Sequence, residues 1–447
     1  MIQLVMKKFI LILCLGLSSF SSSYAQSTDE KIAEAINNSD WFALDSLYRT
    51  ESKDSISQIL EIFSRCLIGN RLNRTDISIP AFTELFNTQS ENIDLGNLIN
   101  SSIMFAMDLS RTGDNKTATK MLSAILNSTR TYLDSTTIAD VQQSINQYEA
   151  LSKYNPYKIT FENSPGTIPF EIVPFDQQNY NSVLIHLIST SINGIEADVT
   201  FDTGAGVNII SDSLALKYNL IPLEASSSVA GVGMQNGNYA IAKELKIGDI
   251  IVTDVPFYVI NITTNNEEAD KYVDYFNIVV GSELMLQLKD LTIDFVNQKV
   301  TVPSVAPERS QVSPNMCFSS HMNLLSKVIV LGSSVLMNID TGDASYGSLG
   351  CDFFEKNKEH ITTNCKLDTI RTAGIGGIQM SECYRVPNIS IGFGKEQVVV
   401  PEIIVKTRNR TNAVVEYEGN LGLKSLMLFN KVRFNMVDFV LTKSEKE

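Results

Sequence analysis

Residues 197–204 read ADVTFDTG, and residues 335–342 read VLMNIDTG. In both stretches a run rich in apolar and β-branched residues, typical of a buried strand, leads directly into Asp-Thr-Gly. A single copy of this tripeptide is typical of a turn, because Asp caps the backbone, Thr bonds locally and Gly allows a positive φ. Two copies at the ends of two strand-like runs instead predict one active centre assembled from two halves.

The chemistry of such a centre depends on its two carboxyl groups, those of Asp202 and Asp340. Two acids held close together cannot both ionise, and they therefore share one proton. One of them then accepts a proton from water while the other donates one. The pattern predicts catalysis by a carboxylate pair, with a rate that falls on both sides of an acidic to near-neutral optimum.

Two further features recur in the same order after each triplet. The first is a glycine-rich stretch about thirty residues downstream, which contains Gly231, Gly233 and Gly237 after the first triplet and Gly374, Gly376 and Gly377 after the second. Neither stretch has the spacing or the Gly-Lys-Ser/Thr ending of a phosphate-binding loop, so we expect two β-hairpins. The second feature is an apolar-glycine pair, Val280-Gly281 and Leu421-Gly422, each followed by a short helical stretch and a strand.

Each half of this region resembles one lobe of a retropepsin-type aspartic peptidase. The shared features are an apolar strand that leads into Asp-Thr-Gly, a glycine-rich hairpin and an apolar-glycine pair. The repetition makes the whole similar to a pepsin-like single chain, in which two tandem all-β lobes form a pseudo-dimer. This resemblance covers roughly the last 290 residues. It implies an endopeptidase that acts on a peptide or protein substrate without a cofactor or metal, as a monomer with internal pseudo-symmetry.

The resemblance also implies roles for individual residues. Asp202 and Asp340 would hold one water and use it to attack a peptide carbonyl without a covalent intermediate. The threonines of the triplets would cross-brace the two loops, and the glycines would allow the turns and place backbone donors near the carboxylates. These supporting residues are Thr203, Gly204, Thr341 and Gly342. The apolar-glycine pairs would pack beneath the loops, and the hairpins would close over an extended peptide.

Three residues of the second lobe depart from this pattern. Asp343 stands where the family commonly has Ala, Ser or Thr, and a third carboxylate near the pair would raise its apparent pKa values unless it points outward. Asn435 replaces the aspartate that lobe one has at Asp294, and Asn420 occupies a position where the family prefers an apolar residue. The departures leave open an alternative, a non-catalytic peptide- or protein-binding module on a degenerate aspartic-protease fold.

Residues 1–25 have the pattern of an export signal. Lys7 and Lys8 precede the apolar residues 9–17, and Ser-Tyr-Ala at 23–25 precedes Gln26. We expect cleavage after Ala25 and an exported protein, periplasmic or secreted. No later stretch approaches the run of about 18 apolar residues that spans a bilayer, so no membrane span is expected.

Residues 27–155 show apolar residues at helical spacing and predict an all-α region. The region resembles a tetratricopeptide-type array, which would offer a surface for a protein partner, but no clean 34-residue period is present. A plain helical bundle is therefore an equal interpretation. After Pro156 the pattern changes to short strands, and we expect lobe one at residues 156–305 and lobe two at 315–447.

Composition excludes several other classes of function. A net charge of −14 and a pI near 4.8 argue against nucleic acid as the main partner. The three histidines form no His-Glu-x-x-His, and no Gly-x-Ser-x-Gly occurs, which argues against zinc and serine hydrolases. Four cysteines of the last third permit up to two disulfides in any of three pairings, namely Cys317, Cys351, Cys365 and Cys383.

Overall fold

The computed structural model describes residues 26–176, 179–230, 234–262, 270, 273–374, 377–393, 396–408 and 416–444. The predicted export signal lies outside these residues. The chain divides into two compact units, with the boundary between Ser152 and Lys153.

The first unit is helical, which confirms the predicted N-terminal helical region. Its α-helices are α1 Thr28–Asn37, α2 Trp41–Thr50, α3 Gln58–Arg71, α4 Thr75–Thr88, α5 Leu95–Arg111, α6 Asn115–Thr129 and α7 Ser135–Leu151. Aspartate side chains begin four of them by accepting a backbone N–H of the first turn, namely Asp40, Asp94, Asp114 and Asp134. Within the described ranges, no helix combines the length and apolar character needed to cross a membrane.

The second unit consists mainly of strands in two sheets. The strands of the larger sheet are β1 Lys158–Phe161, β2 Gly166–Asp176, β3 Asn179–Leu187, β4 Thr190–Ile192, β5 Ile195–Glu196, β6 Val199–Phe201, β7 Ile209–Ser211, β8 Ile221–Ala230, β9 Met234–Ile247, β10 Ile250–Ile260, β11 Ile278–Val280, β12 Asp290–Asp294, β13 Lys299–Val302, β22 Lys431–Asn435 and β23 Val440–Lys443. Those of the smaller sheet are β14 Met316–Phe318, β15 Leu324–Val330, β16 Ser333–Asp340, β17 Gly347–Leu349, β18 Lys366–Gly374, β19 Gly377–Phe393, β20 Glu396–Lys406 and β21 Gly419–Gly422.

Short helices connect several of these strands. They are α8 Asp212–Lys217, α9 Ser282–Leu288, α10 Cys351–Lys356, α11 Lys358–Asn364 and α12 Leu423–Met427. The helices α9 and α12 each start directly after one of the apolar-glycine pairs.

The strands around the two triplets pair in the same order and with the same directions. In the larger sheet β6 runs parallel to β11, β11 is antiparallel to β7, and β7 is parallel to β10. In the smaller sheet β16 runs parallel to β21, β21 is antiparallel to β17, and β17 is parallel to β20. The antiparallel hairpins β8–β9 and β18–β19 extend each series. The duplication seen in the sequence is therefore matched by the order of strand pairing.

The larger sheet also joins the N-terminal and C-terminal parts of the second unit, because β12 pairs with β22. The guanidinium group of Arg433 on β22 donates two hydrogen bonds to the carboxylate of Asp290 on β12, at 2.9 and 2.7 Å. The Lys431 ammonium lies 3.1 Å from the carboxylate of Asp294. Two ion pairs thus accompany the backbone ladder at this junction.

The residues that precede each triplet belong to the hydrophobic core. Phe201 is 2% exposed and Ile339 is fully buried, as are Val280 and Leu421 on the parallel neighbouring strands. Burial on both faces explains why these short strands read as apolar runs. It also fixes the two Asp-Thr-Gly loops to the ends of core strands.

The disulfides that the sequence permits are not present in the structure. No disulfide joins any two of Cys317, Cys351, Cys365 and Cys383, all of which lie in described ranges. In the β18–β19 ladder Cys383 stands opposite Asp368, while Cys365 precedes the first residue of β18. The register of this hairpin therefore does not place Cys365 across from Cys383.

Candidate active site

The first Asp-Thr-Gly loop begins where β6 ends. The backbone N–H of Asp202 donates a hydrogen bond to the carbonyl of Val280 at 3.0 Å, which continues the parallel pairing of β6 with β11. Three residues further on, the Ala205 carbonyl accepts the backbone N–H of Ser282 at 2.8 Å. The start of α9, directly after Val280-Gly281, therefore supports the loop.

The second loop is built in the same way at the end of β16. Asp340 stands opposite Gly422 in the parallel pairing of β16 with β21. The carbonyl of Asp343 accepts the backbone N–H of Leu423, the first residue of α12, at 2.9 Å. Ala205 and Asp343 are each three residues beyond their aspartates, so the two loops receive equivalent support from two separate helices.

The threonines of the two triplets connect the loops to each other. The backbone N–H of Thr203 donates to Oγ1 of Thr341, and that of Thr341 donates to Oγ1 of Thr203, both at 3.0 Å. The hydroxyl of Thr203 donates onward to the carbonyl of Ile339 at 2.7 Å, and that of Thr341 donates to the carbonyl of Phe201 at 2.9 Å. Both threonines are fully buried.

The two carboxyl groups meet at a single site between the loops. A Cβ atom built on Gly204 would lie 2.4 Å from Oδ1 of Asp340, and one built on Gly342 would lie 2.4 Å from Oδ2 of Asp202. Each loop glycine therefore faces the carboxyl group of the opposite loop with no room for a side chain. The side chain of Asp340 also hydrogen-bonds to that of Asp202.

Backbone donors hold the carboxyl group of Asp202. Its Oδ1 atom accepts the N–H of Gly204 at 2.8 Å and the N–H of Gly342 at 3.0 Å, so both loops contribute a donor. Burial raises the pKa of Asp202, and these N–H groups offset part of the effect because they favour the ionised form.

The carboxyl group of Asp340 has a different set of partners. Its Oδ1 atom accepts the backbone N–H of Asp343 at 2.9 Å, and its Oδ2 atom accepts the side-chain amide of Asn420 at 3.0 Å. Burial and the neighbouring charges of Asp202 and Asp343 raise the pKa of Asp340 well above its usual range. The pKa values of both carboxyl groups are therefore raised, and each keeps its proton to a higher pH than an isolated aspartate would.

Asp343, one of the three departures in the second lobe, has a structural partner of its own. Its Oδ1 atom accepts the backbone N–H of Ser345 at 3.1 Å and the Ser345 hydroxyl at 2.6 Å. The side chain thus closes the turn that follows the triplet, while its charge still contributes to the raised pKa of Asp340.

The other two departures also make well-defined hydrogen bonds. The Asn435 Oδ1 atom accepts the backbone N–H groups of Val437 and Asp438, both at 2.9 Å. Asp294 accepts the equivalent N–H groups in lobe one, so either residue type closes this turn. Asn420 contacts the candidate catalytic group itself, which sequence reasoning missed. The available signal was the spacing of Asn420 from Gly422 of the apolar-glycine pair, because residues 420 and 422 lie on the same face of a strand.

A polar chain beneath the first loop was also missed. The side-chain amide of Asn208 donates to the hydroxyl of Tyr157 at 3.0 Å, and its Oδ1 atom accepts the N–H of Gly281 at 3.1 Å. The Tyr157 hydroxyl in turn donates to Glu283, whose pKa burial raises to about 7. No motif in the sequence links these four residues, which come from three separate segments.

The predicted glycine-rich hairpins correspond to β8–β9 and β18–β19. The ladders are described up to the pairs Ala230 with Met234 and Gly374 with Gly377. Gly237 lies in β9, opposite Ser227. The predicted residues Gly231, Gly233 and Gly376 lie outside the described residues. Among the described residues no group of three His, Cys, Asp or Glu side chains is arranged to hold a metal ion.

Comparison with known proteins identifies one related family. Residues 188–268 match the family model described as "gag-polyprotein putative aspartyl protease". The matched segment contains the first Asp-Thr-Gly and the hairpin β8–β9, and it covers less than a fifth of the 447 residues. No curated protein matches the chain. The chain therefore carries an aspartic-protease-like region in its second unit.

Proposed function

We propose that this protein is an aspartic endopeptidase whose active centre is the pair Asp202 and Asp340. The observation that carries the proposal is that each loop glycine faces the carboxyl group of the opposite loop. A Cβ atom placed on either glycine would lie 2.4 Å from an oxygen of that carboxyl group. Two carboxyl groups at one site, one of them retaining a proton, form the arrangement that activates water for attack on a carbonyl. The match of residues 188–268 to an aspartyl protease family supports the same class.

In the proposed reaction a water lies between the two carboxyl groups. Ionised Asp202 takes a proton from the water while the water oxygen bonds to the peptide carbonyl carbon. Asp340 gives its proton to the carbonyl oxygen. The product is a neutral gem-diol. In the second step the C–N bond breaks as the leaving nitrogen takes the proton from Asp202, and a diol hydroxyl returns a proton to Asp340. The pair ends in its starting protonation state.

We further propose that the second unit is a pseudo-dimer of two aspartic-protease-like lobes, residues 156–305 and 315–447. Its support is the identical order of parallel and antiparallel pairings around β6 and β16. In this interpretation the hairpins β8–β9 and β18–β19 are the flaps that close over an extended peptide. The lobes share one chain, so activity requires no second copy and a monomer is sufficient.

Two proposals concern the rest of the chain. Residues 1–25 would direct export to the periplasm or the outside of the cell, and the mature protein would begin near Gln26. The helical region predicted at residues 27–155 would bind a protein partner or serve as a prosegment. N-terminal sequencing of the exported protein, compared with cell-retained protein, tests the first of these, and an uncleaved N-terminus would contradict it.

The alternative, a binding module that grips peptides without cutting them, rested on the departures in lobe two. Asp343 and Asn435 each close a turn, and Asn420 donates to Asp340 rather than disrupting the site. These contacts favour a competent second lobe, and the family match gives the binding module no separate support.

The deciding experiment compares the parent protein with Asp202→Asn and Asp340→Asn. Each is incubated with a mixed peptide library between pH 3 and 8, with and without a statine-containing peptide as a transition-state mimic, and products are identified by mass spectrometry. We expect cleavage by the parent, inhibition by the mimic, and a loss of at least about 10³-fold in both variants. Asp198→Asn is the matched control, because this carboxylate is 94% exposed and four residues from Asp202. Peptide retention without cleavage by the parent would establish the binding module instead.

A further inference from the structure

Asn420 donates a side-chain hydrogen bond to one of the two proposed catalytic groups. It lies on β21 opposite Asn338, and its Nδ2 atom is 3.0 Å from Oδ2 of Asp340. Its Oδ1 atom lies 3.5 Å from Nδ2 of Asn338. The amide nitrogen of Asn420 faces this oxygen, and it is the end of the side chain that can donate to the ionised form of Asp340. The neighbouring Asn338 amide favours the same orientation.

The equivalent position of the first lobe carries an apolar side chain, that of Val279. The pairings Val279 with Thr200 and Asn420 with Asn338 occupy equivalent places in the two sheets, so Val279 stands where lobe two has Asn420. Oδ1 of Asp202 accepts two backbone N–H groups. Asp340 accepts the N–H of Asp343 on Oδ1 and the amide of Asn420 on Oδ2, besides a backbone hydrogen bond from Gly342. A donor on each oxygen resists rotation of the Asp340 carboxyl group about its terminal bond.

We propose that Asn420 is a positioning residue of the carboxylate pair, which fixes the orientation of the Asp340 carboxyl group and favours its ionised form, and thereby sets the upper pH limit of the pair. The proposal rests on the proposed function for its catalytic consequence. Its consequence for protonation holds whether or not the protein cleaves peptides.

The direction of the effect follows from the charges around Asp340. The carboxylates of Asp202 and Asp343 both oppose its ionisation. Against them, the Asn420 amide donates to the carboxylate and stabilises the charged form. Without this amide the pKa of Asp340 rises, and the pair keeps its shared proton to a higher pH. The loss of one hydrogen bond to a charged group corresponds to a change of about one unit in the pKa of that group.

Two variants separate positioning from simple packing. Asn420→Val introduces the residue that lobe one carries at the equivalent position, and Asn420→Asp keeps the shape but replaces the donor with an acidic group. The matched control is Asn364→Val, since Asn364 is exposed at the end of α11. Circular dichroism establishes that each variant is folded, and Asn420→Asp alone carries the test if Asn420→Val does not fold.

Protonation is measured directly by carboxyl-carbon NMR titration of aspartate-labelled protein, with the Asp340 signal assigned by its absence from Asp340→Asn. We expect the upper apparent pKa of the pair to rise by about one unit in Asn420→Val and by more in Asn420→Asp. In the cleavage assay the basic limb of kcat should move to higher pH by the same amount. At the parent's optimum kcat should fall about tenfold while KM changes less than about twofold.

The outcomes distinguish this inference from the proposed function. A parent protein that cleaves peptides, with an upper pKa and pH profile that neither Asn420 variant changes, would overturn the role of Asn420 and leave the peptidase intact. A parent that cleaves nothing would overturn the peptidase, and the NMR shift would still decide whether Asn420 controls the protonation of Asp340. A shift of equal size in Asn364→Val would also contradict the inference.

Discussion

The backbone N–H of Thr203 donates to the hydroxyl oxygen of Thr341, and the backbone N–H of Thr341 donates to that of Thr203, both at 3.0 Å. Each hydroxyl then donates to the carbonyl that precedes the opposite aspartate, at Ile339 or Phe201. Four hydrogen bonds between two fully buried side chains and two loops thus hold the carboxyl groups at a fixed separation. Positioning of this kind is a major source of rate enhancement.

Removal of one threonine hydroxyl should weaken the second unit. In Thr203→Val the N–H of Thr341 and the carbonyl of Ile339 lose their partners in a buried site. Each buried unsatisfied group costs about 1–3 kcal/mol, so the free energy of unfolding should fall by about 2–6 kcal/mol. Thr203→Ser retains the hydroxyl and should lose less than about 1.5 kcal/mol.

The measurement must report on the second unit alone. The single tryptophan, Trp41, lies in the helical unit, so its fluorescence follows the unfolding of that unit. Hydrogen exchange of β6 and β16 peptides followed by mass spectrometry gives the stability of the strands that carry the triplets. Equal protection of these peptides in Thr203→Val and in the parent would contradict the bracing role.

The residues that could be predicted from the sequence are those that local pattern determines. The apolar runs before each triplet are buried strands because both faces of the strand are covered, and this leaves a signature that needs no knowledge of pairing partners. The two aspartates then follow, since Asp-Thr-Gly ends each run. The duplicated order of features is matched by the order of strand pairing around β6 and β16.

The contacts that could not be predicted depend on strand register. Asn420 is 80 residues from Asp340, and a slip of one residue in β21 would turn its side chain to the opposite face. Its sequence environment therefore suggested only a departure from the family pattern. The link from Glu283 through Tyr157 to Asn208 likewise joins segments far apart in the chain, and each residue alone is typical of a surface or a strand.

Asp343 should shift the pH profile without being required for activity. In Asp343→Asn the amide oxygen can still accept the hydrogen bonds of Ser345, but the charge that helps to raise the pKa of Asp340 is removed. The pKa of Asp340 then falls, so the basic limb of the activity profile should move to lower pH by up to about one unit. Activity at the new optimum should stay within about threefold of the parent.

The matched control for this prediction is Asp352→Asn, an exposed carboxylate on α10 whose replacement should leave the profile unchanged. Peptide cleavage is measured from pH 3 to 8 for parent, variant and control. A basic limb that does not move in Asp343→Asn, or that moves to higher pH, would show that Asp343 does not act on Asp340 through its charge.

The ion pair between Asp290 and Arg433 should stabilise the junction of β12 with β22. Asp290 is 5% exposed and accepts both hydrogen bonds of the guanidinium group, so Arg433→Met leaves a buried carboxylate without its partner. Because Arg433 is itself 42% exposed, we expect a modest loss of about 1–2 kcal/mol in the free energy of unfolding. Asp290→Asn combined with Arg433→Met should restore part of it. Additive losses in this double-mutant cycle would indicate that the two side chains do not interact.

Glu283 should make the stability of the second unit depend on pH near neutrality. Burial raises its pKa from 4.5 to about 7, although the Tyr157 hydroxyl offsets part of the effect. Between these values the folded chain retains a proton that the unfolded chain has lost. Stability therefore falls as pH rises through this window, by at most about 1.4 kcal/mol per pH unit, and levels off above pH 7.

Glu283→Gln carries no charge at any pH and should remove this part of the dependence, so the variant loses less stability than the parent between pH 5 and 8. The exposed Glu359→Gln on α11 is the matched control and should behave as the parent does. Hydrogen exchange of peptides from β6 and β11, corrected for intrinsic exchange rates at each pH, gives the stability of the strands above this polar chain. If parent and Glu283→Gln show the same change in protection between pH 5 and 8, Glu283 does not retain its proton in the folded protein.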